Sequence, residues 1–348
     1  MTRVLHLHYG KEGGAERFFV SLAEGLAERG VEQRFSVRPN VSWRGRVAAL
    51  GPVIEGHARR RSPRTWLLRR RLDRLVREWR PDAVVAWMDR AARMLPPDGT
   101  AALRVTRLGD FPRSLAAFAR TDLVLANVPA IERHCRAMGW GGAVRVVSNF
   151  PRPVASRPVD RAALDTPADA FLVATGGRLV RRKGIDVAVR AVAALPDAWL
   201  WVLGDGAERT ALERLAREHG VAARTRFAGW LPEPAHHVAA ADAFVLPSRH
   251  EPLGNMLLEA WAAGVPTVAT RSEGPGWYMV DGRDGVLVAV DDVEGVARGL
   301  RLIRDDRAAA ARFVAGARAT LAATFGREAV LDRYEALFRK GRGALRDP

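Results

Sequence analysis

Residues 245–273 read VLPSRHEPLGNMLLEAWAAGVPTVATRSE. The apolar run that leads in over 243–246 suits a buried strand stopping at Pro247. A polar turn follows over 248–251, then Pro-Leu-Gly, then helix formers over 256–263. Gly264 ends that helix, Pro266 prevents its resumption, and 265–270 reads as the next buried strand. Strand, turn, helix, strand is the repeating unit of a parallel α/β domain. The turn sets Glu251 beside a helix N-terminus, whose spare N–H groups and partial positive charge suit a phosphate. Glu259 lies eight residues on. The helical steps from Gly254 carry it about 7–8 Å further along the axis. On spacing alone, two such glutamates read equally well as a cap and a solvated face.

The whole string is more specific. It resembles the E-x7-E signature of the retaining glycosyltransferases of family four, which have the GT-B fold. Glu251 and Glu259 stand at its two glutamates, and Ala260-x-x-x-Gly264-x-Pro266 continues the match. The resemblance implies that Glu251 holds hydroxyls of a donor sugar and Glu259 a ribose. Leu253, Gly254 and Asn255 would line the donor between them.

At 348 residues with 48% hydrophobic composition, the chain is long enough for two domains with developed cores. No apolar run approaches a membrane span, and the N-terminus lacks the basic–apolar–small pattern of a signal peptide. A single cysteine, Cys135, excludes a disulfide framework and suits the cytosol; its helical setting reads as packing. The charge is lopsided. Residues 1–150 hold 27 Lys+Arg against 14 Asp+Glu, whereas 151–348 hold 28 against 25. The first half therefore faces something anionic: nucleic acid, anionic lipid, or an acidic or phosphorylated glycan.

Upstream, RVLHLHY over 3–9 alternates as a strand does and runs into a glycine-rich loop and a helix over 17–29. Gly10, Gly13 and Gly14 lack the G-x-G-x-x-G spacing of a dinucleotide fingerprint. The loop resembles the GGxE entry of family-four enzymes, which implies Gly14 near donor phosphates and Lys11 and Gly13 on the acceptor side. Strands are expected over 32–38, 52–55, 84–88, 104–108, 123–128 and 144–150. Ten arginines fall between Arg59 and Arg80, where Ser62-Pro63 starts a helix with Leu68, Leu72, Leu75, Val76 and Trp79 on one stripe. That is a surface helix packed by its stripe, and its basic face suits peripheral contact with anionic membrane. Asp89 and Asp110 follow strand ends, where such sheets bind ligands. Many family members have a histidine in the Asp110 loop; this one reads TRLGDF and has none. Asp89 and Asp110 are the acceptor-side candidates in its place.

Pro151, Pro153 and Pro158 mark a linker over 150–158. The α/β alternation then restarts, with strands expected over 171–175, 199–203, 225–230 and 286–290. Lys183 is one of only three lysines, beside Lys11 and Lys340. Its compact ammonium suits phosphate as a point charge. Arg178 and Lys183 match the family's Gly-Arg…Lys-Gly pair, which contacts the donor diphosphate. The resemblance also sets Trp230 and Leu231 beside the base, read largely by backbone groups.

The expected fold is therefore α/β: GT-B, two Rossmann-like doubly wound domains facing across a cleft. A basic acceptor-side domain would cover 1–152, a nucleotide-sugar domain 153–325, and a terminal helix over 326–348 would cross back to the first. The expected function is a retaining, metal-independent hexosyl transfer from a UDP- or GDP-linked sugar to a glycan or lipid-linked acceptor, in lipopolysaccharide or envelope glycan synthesis. Glu251, Arg178 and Lys183 are the expected catalytic residues, with no further cofactor and no nucleic acid. The expected location is cytoplasmic, at the inner face of the cytoplasmic membrane. Three alternatives remain: a GT-B nucleotide-sugar epimerase, an Arg-rich nucleic-acid-binding protein, and a catalytically silent scaffold.

Overall fold

The computed structural model describes residues 1–11, 13–58, 62–152 and 158–345. Most of the expected linker (153–157) and the start of the Arg-rich stretch (Arg59, Arg60 and Arg61) lie outside the described residues. The chain divides into two compact units, Met1–Phe150 with Arg327–Pro348, and Pro151–Gly326.

The first unit is built on seven parallel strands: β1 (Arg3–His8), β2 (Glu32–Val37), β3 (Val53–Glu55), β4 (Ala83–Trp87), β5 (Leu103–Leu108), β6 (Leu123–Ala126) and β7 (Ala143–Val146). Their spatial order is β3-β2-β1-β4-β5-β6-β7. The second carries β8 (Phe171–Gly176), β9 (Ala198–Leu203), β10 (Thr225–Gly229), β11 (Ala243–Leu246), β12 (Thr267–Thr270) and β13 (Val286–Val288), in the order β10-β9-β8-β11-β12-β13. Both are Rossmann-like doubly wound sheets. Strands covered on both faces need continuous apolar sequence, and every residue of β4 (AVVAW) and β11 (AFVL) is buried.

Every expected strand forms, β11 with the expected bounds and the others with shifted ends. β12 begins at Thr267 rather than 265, because Pro266 has no N–H to give the ladder. β7 ends at Val146 rather than 150, since its partner strand β6 ends opposite it at Ala126; Val147, Ser148, Asn149 and Phe150 leave the sheet yet stay buried. β10 slips register between Phe227 and Gly229 and stops short of Trp230.

Helix Pro63–Trp79 starts on Pro63 as expected and buries Leu68, Leu72, Val76 and Trp79. Leu75 is only half-buried, at the margin of the stripe, while Arg70, Arg71, Arg74 and Arg77 are exposed. Trp66 and Leu67 in its first turns are 52% and 60% exposed. Arg70 stacks on the Trp66 ring at 3.9 Å. The last long helix, Arg327–Lys340, belongs to the first unit: Val330, Leu331, Tyr334, Leu337 and Phe338 enter its core. A salt-bridge set from Arg29 to Glu328, Asp332 and Glu335 fastens it to the end of helix Gly14–Glu28.

Candidate active site

In a doubly wound sheet the ligand crevice opens at the carboxyl ends of the two strands between which the order reverses. In the second unit those strands are β8 and β11. β8 delivers the turn with Gly177, Arg178 and Lys183, and β11 delivers Ser248 and Glu251. The two turns are docked on each other. Gly184 has a left-handed φ of 64° and sits so close to the Pro247 carbonyl that an added Cβ would lie 2.0 Å from the oxygen. The Arg182 carbonyl accepts from the N–H groups of Arg249 and His250 at 2.9 and 3.2 Å. Arg249 then grips Asp186 with two parallel hydrogen bonds of 2.8 and 2.7 Å. Burial pushes the Asp186 carboxyl up, but the Arg249 hydrogen bonds and charge outweigh it and hold it below the usual range.

This docking joins Lys183 to Glu251, 68 positions apart: the ammonium donates to Glu251 Oε2. Ser248 Oγ donates to the same oxygen at 3.1 Å, and Glu251 is 7% exposed. The Glu251 N–H donates to Glu273 Oε2 at 3.0 Å, and the Gly274 N–H to the Glu251 carbonyl at 2.9 Å. Glu273 pairs in turn with His250 Nδ1 at 2.7 Å. Burial raises the Glu273 carboxyl, yet hydrogen bonds from its own backbone, His250 and the Glu251 N–H leave it lowered. Tyr278 donates its hydroxyl to the Leu253 carbonyl at 2.7 Å; burial, then the charge on Glu251, pushes that phenol well above its ordinary range. The backbone from Glu251 to Gly254 is thus held on both sides. Gly254, with φ 89°, turns it into helix Asn255–Ala262, which buries Glu259.

The structure therefore brings Lys183, on the turn after β8, against Glu251, which shares the turn after β11 with Leu253 and Gly254. Asn255 and Glu259 lie on the helix that this turn starts. Arg178 is exposed at the end of β8 and, among the described residues, makes no hydrogen bond or ion pair through its side chain. Trp230, 42% exposed, and Leu231 follow β10, two strands from β8 on the same carboxyl edge. Ser248, His250, Glu273 and Tyr278 were not singled out from the sequence. Ser248, His250 and Glu273 lie inside the stretch 245–273, where polar residues flanking a buried glutamate were the available signal.

In the first unit the corresponding reversal falls between β1 and β4. Gly13 caps helix Gly14–Glu28, Gly14 begins it, and Lys11 is exposed, its carbonyl accepting from Trp43 Nε1 at 2.9 Å. Asp89 is exposed just after β4; Asp110 is half-buried after β5 and accepts from the Phe111 N–H at 2.9 Å. A histidine does reach this last loop from another element. His134, on helix Pro129–Ala137, contacts the Pro112 carbonyl through Nε2 at 2.9 Å and Phe111 edge-on. His6 and His8 of β1 are wholly buried, and burial pushes both down to about 3, so they stand uncharged. Cys135 is buried packing, its thiol raised by burial. Among the described residues, no group of three or more His, Cys, Asp or Glu could hold a metal ion. No helix among them is long and apolar enough to cross a membrane.

A family described as "Glycosyl transferases group 1" matches residues 156–320, within the second unit and across the Glu251 cluster. The similarity of whole chains extends further. The lipopolysaccharide core biosynthesis glycosyltransferase LpsE of Rhizobium meliloti (strain 1021) is 45% identical over 332 residues, covering 95% of this chain and 97% of that one. The chain belongs to the group 1 glycosyltransferases. LpsD of the same organism, with the same description, is 43% identical over 97% of this chain and 98% of its own. Among solved structures, HepE of Anabaena in complex with UDP and glucose superposes with a TM-score of 0.82 at 19% identity, covering 97% of this chain and 99% of that one. At that identity the likeness concerns the fold, which is GT-B. A group 1 glycosyltransferase leaves the epimerase, nucleic-acid-binding and scaffold readings without support.

Proposed function

We propose that the chain transfers a hexose, with retention, from a UDP- or GDP-linked donor to a hydroxyl of a lipid-linked lipopolysaccharide core or related envelope glycan. The observation that carries this is the Lys183–Glu251–Ser248 cluster at the β8/β11 reversal. Whole-length similarity to two core-biosynthesis enzymes supports the acceptor class. In this reading Glu251 orients the donor sugar by its hydroxyls and Glu259 holds the ribose. Trp230 and Leu231 meet the base through backbone groups. Negative charge grows on the departing diphosphate, and three sources of positive potential answer it: the Lys183 ammonium, the Arg178 guanidinium and the N–H groups opening helix Asn255–Ala262. The proton of the attacking hydroxyl passes to the leaving phosphate oxygen on the same face of the sugar. No metal ion or further cofactor takes part. Lys11, Gly13, Asp89 and Asp110 lie on the acceptor side.

The basic helix Pro63–Trp79 supplies the membrane contact, with Trp66 and Leu67 entering the interface of the inner leaflet and Arg70, Arg71, Arg74 and Arg77 facing anionic headgroups. The deciding experiment is thermal stabilisation by UDP, GDP, ADP and CMP and their sugar conjugates, followed by transfer assays with Glu251→Ala. A ligand at about 100 times its dissociation constant stabilises by about 2.7 kcal/mol, enough for a visible shift. Absence of stabilisation by every nucleotide, or unchanged turnover in the folded variant, defeats the assignment. Product NMR reads the anomeric configuration, and EDTA should leave the rate unaltered.

A further inference from the structure

The carboxyl edge of the first sheet holds a second constellation. Four strands adjacent in space, in the order β3-β2-β1-β4, all end beside one cavity of about 500 Å³. His57 comes from the exit of β3, Arg38 from β2, Tyr9 from β1, and Asp89, Arg90 and Arg93 from β4. The β1/β4 reversal, where such a sheet opens its crevice, lies in this set. The volume falls in the range of small-molecule pockets.

The lining is cationic and its cations are uncommitted. Three arginines face one carboxylate, Asp89. Among the described residues, no hydrogen bond or ion pair engages the guanidinium of Arg38, Arg90 or Arg93. Arg29, Arg44 and Arg46 of the same unit are ion-paired, whereas Arg71, Arg74 and Arg133, like the cavity arginines, have no carboxylate partner among the described residues. The wall behind them is fixed, since buried Tyr9 shares a 2.8 Å hydrogen bond with Ser36 Oγ and its phenol, raised by burial, stays neutral. Met88 adopts a left-handed φ of 67° and turns β4 directly into the short helix Met88–Ala92. Arg90 and Arg93, three residues apart, share a face of that turn.

Guanidinium forks match phosphate oxygens bidentately, and a phosphate monoester carries about −1.5 to −2 charge at neutral pH. Asp89 cannot accept from a phosphate dianion, but it can accept from a sugar hydroxyl. We propose that this cavity binds a phosphate monoester borne on a sugar of the acceptor, Arg38, Arg90 and Arg93 holding the phosphate and Asp89 a neighbouring hydroxyl. Its assignment to the acceptor rests on the transfer reaction proposed above; the phosphosugar site itself does not.

The test is calorimetric titration of the full chain with mannose 6-phosphate, mannose and glucuronate, at low salt and at about 0.3 M salt, where surface attraction is screened. Mannose 6-phosphate should bind, weaken with salt and outcompete the other two. Arg90→Glu and Arg93→Glu should each weaken it at least about tenfold, the loss of one charge-assisted hydrogen bond. Arg38→Gln gives a milder change at a half-buried position, and thermal unfolding checks the fold of each variant. Arg133→Glu, the same charge change on an exposed position of helix Pro129–Ala137, should leave binding intact. Equal binding of mannose, glucuronate bound as tightly as the phosphosugar, or equal losses in all variants would overturn the proposal. UDP titrated into the same protein reads the donor site separately. UDP binding without phosphosugar binding defeats this proposal alone, and the reverse defeats the donor reading alone.

Discussion

Replacing Lys183 with methionine keeps the aliphatic stem and removes the ammonium from an ion pair whose side chains are only 18% and 9% exposed. Glu251 then keeps the Ser248 hydroxyl but loses its only ionic partner among the described residues. Stranding one member of a buried pair costs about 3–5 kcal/mol. Because Lys183 retains some solvent and Ser248 remains, the low end, about 3 kcal/mol, applies. In a unit of this size that corresponds to about 6–12 °C in melting temperature. Glu251→Gln should cost less, about 1–2 kcal/mol, since the freed ammonium can reach water and the amide can still hydrogen-bond. The double variant removes both charges, so it should be at least about 1.5 kcal/mol more stable than the sum of the single losses. Urea unfolding of the four proteins, without nucleotide, measures the cycle. Losses that add to within about 0.5 kcal/mol would refute the coupled pair and the docking of the two turns inferred from it.

Gly184→Ala should be more harmful than its size suggests, because a left-handed residue gains a Cβ aimed at the Pro247 carbonyl. We expect a loss above about 2 kcal/mol together with weaker nucleotide binding, and a stable variant with full binding would contradict the docking geometry. Vesicle sedimentation tests the membrane contact. Trp66→Ser combined with Arg70→Glu and Arg74→Glu should lower affinity for vesicles rich in phosphatidylglycerol at least about tenfold, since each basic residue near such a surface contributes about 1 kcal/mol. Binding that ignores both salt and these substitutions would rule that face out. The Arg104–Asp122 pair sets an acid limit in the first unit. Burial raises the Asp122 carboxyl, but hydrogen bonds from Arg104 at 2.7 and 3.0 Å outweigh it and leave it lowered. A lowered carboxyl contributes stability that is present above its unfolded value near pH 4 and lost as pH falls through the folded one. Asp122→Asn should therefore be less stable than the parent at pH 7, and the gap should close on acidification; a gap independent of pH would contradict this.

The strands were legible because parallel strands buried on both faces leave continuous apolar runs bounded by Gly, Pro and polar turns. β11 was readable to the residue, since Pro247 cuts it. Ends failed where the neighbour matters more than the segment, as at β7, whose last expected residues run past the end of its partner β6. The glutamates were legible because they share one turn and helix. Their partnership was not: nothing local to Lys183 announces Glu251, and the approach of Gly184 to Pro247 is a tertiary event. The arginine cavity was less visible still, since its lining comes from four strand exits between Tyr9 and Arg93 and the sequence shows only a diffuse basic excess. Leu75 illustrates the limit of helical periodicity, which assigns a stripe but not where its margin meets solvent.

The last helix has a consequence for the order in which the chain can become native. Tyr334 and Phe338 lie in the same core cluster as Val4, Phe19 and Trp87, and Arg107, wholly buried, has the Tyr334 hydroxyl 3.4 Å from its Nε. Residues 1–150 therefore lack part of their own interior until helix Arg327–Lys340 has been made. The second unit, continuous from Pro151 to Gly326, is complete in sequence before residue 327 is made. Domains that emerge first ordinarily fold first. Here the first unit completes its core only with a helix made after the whole second unit, so the second unit can close before the first.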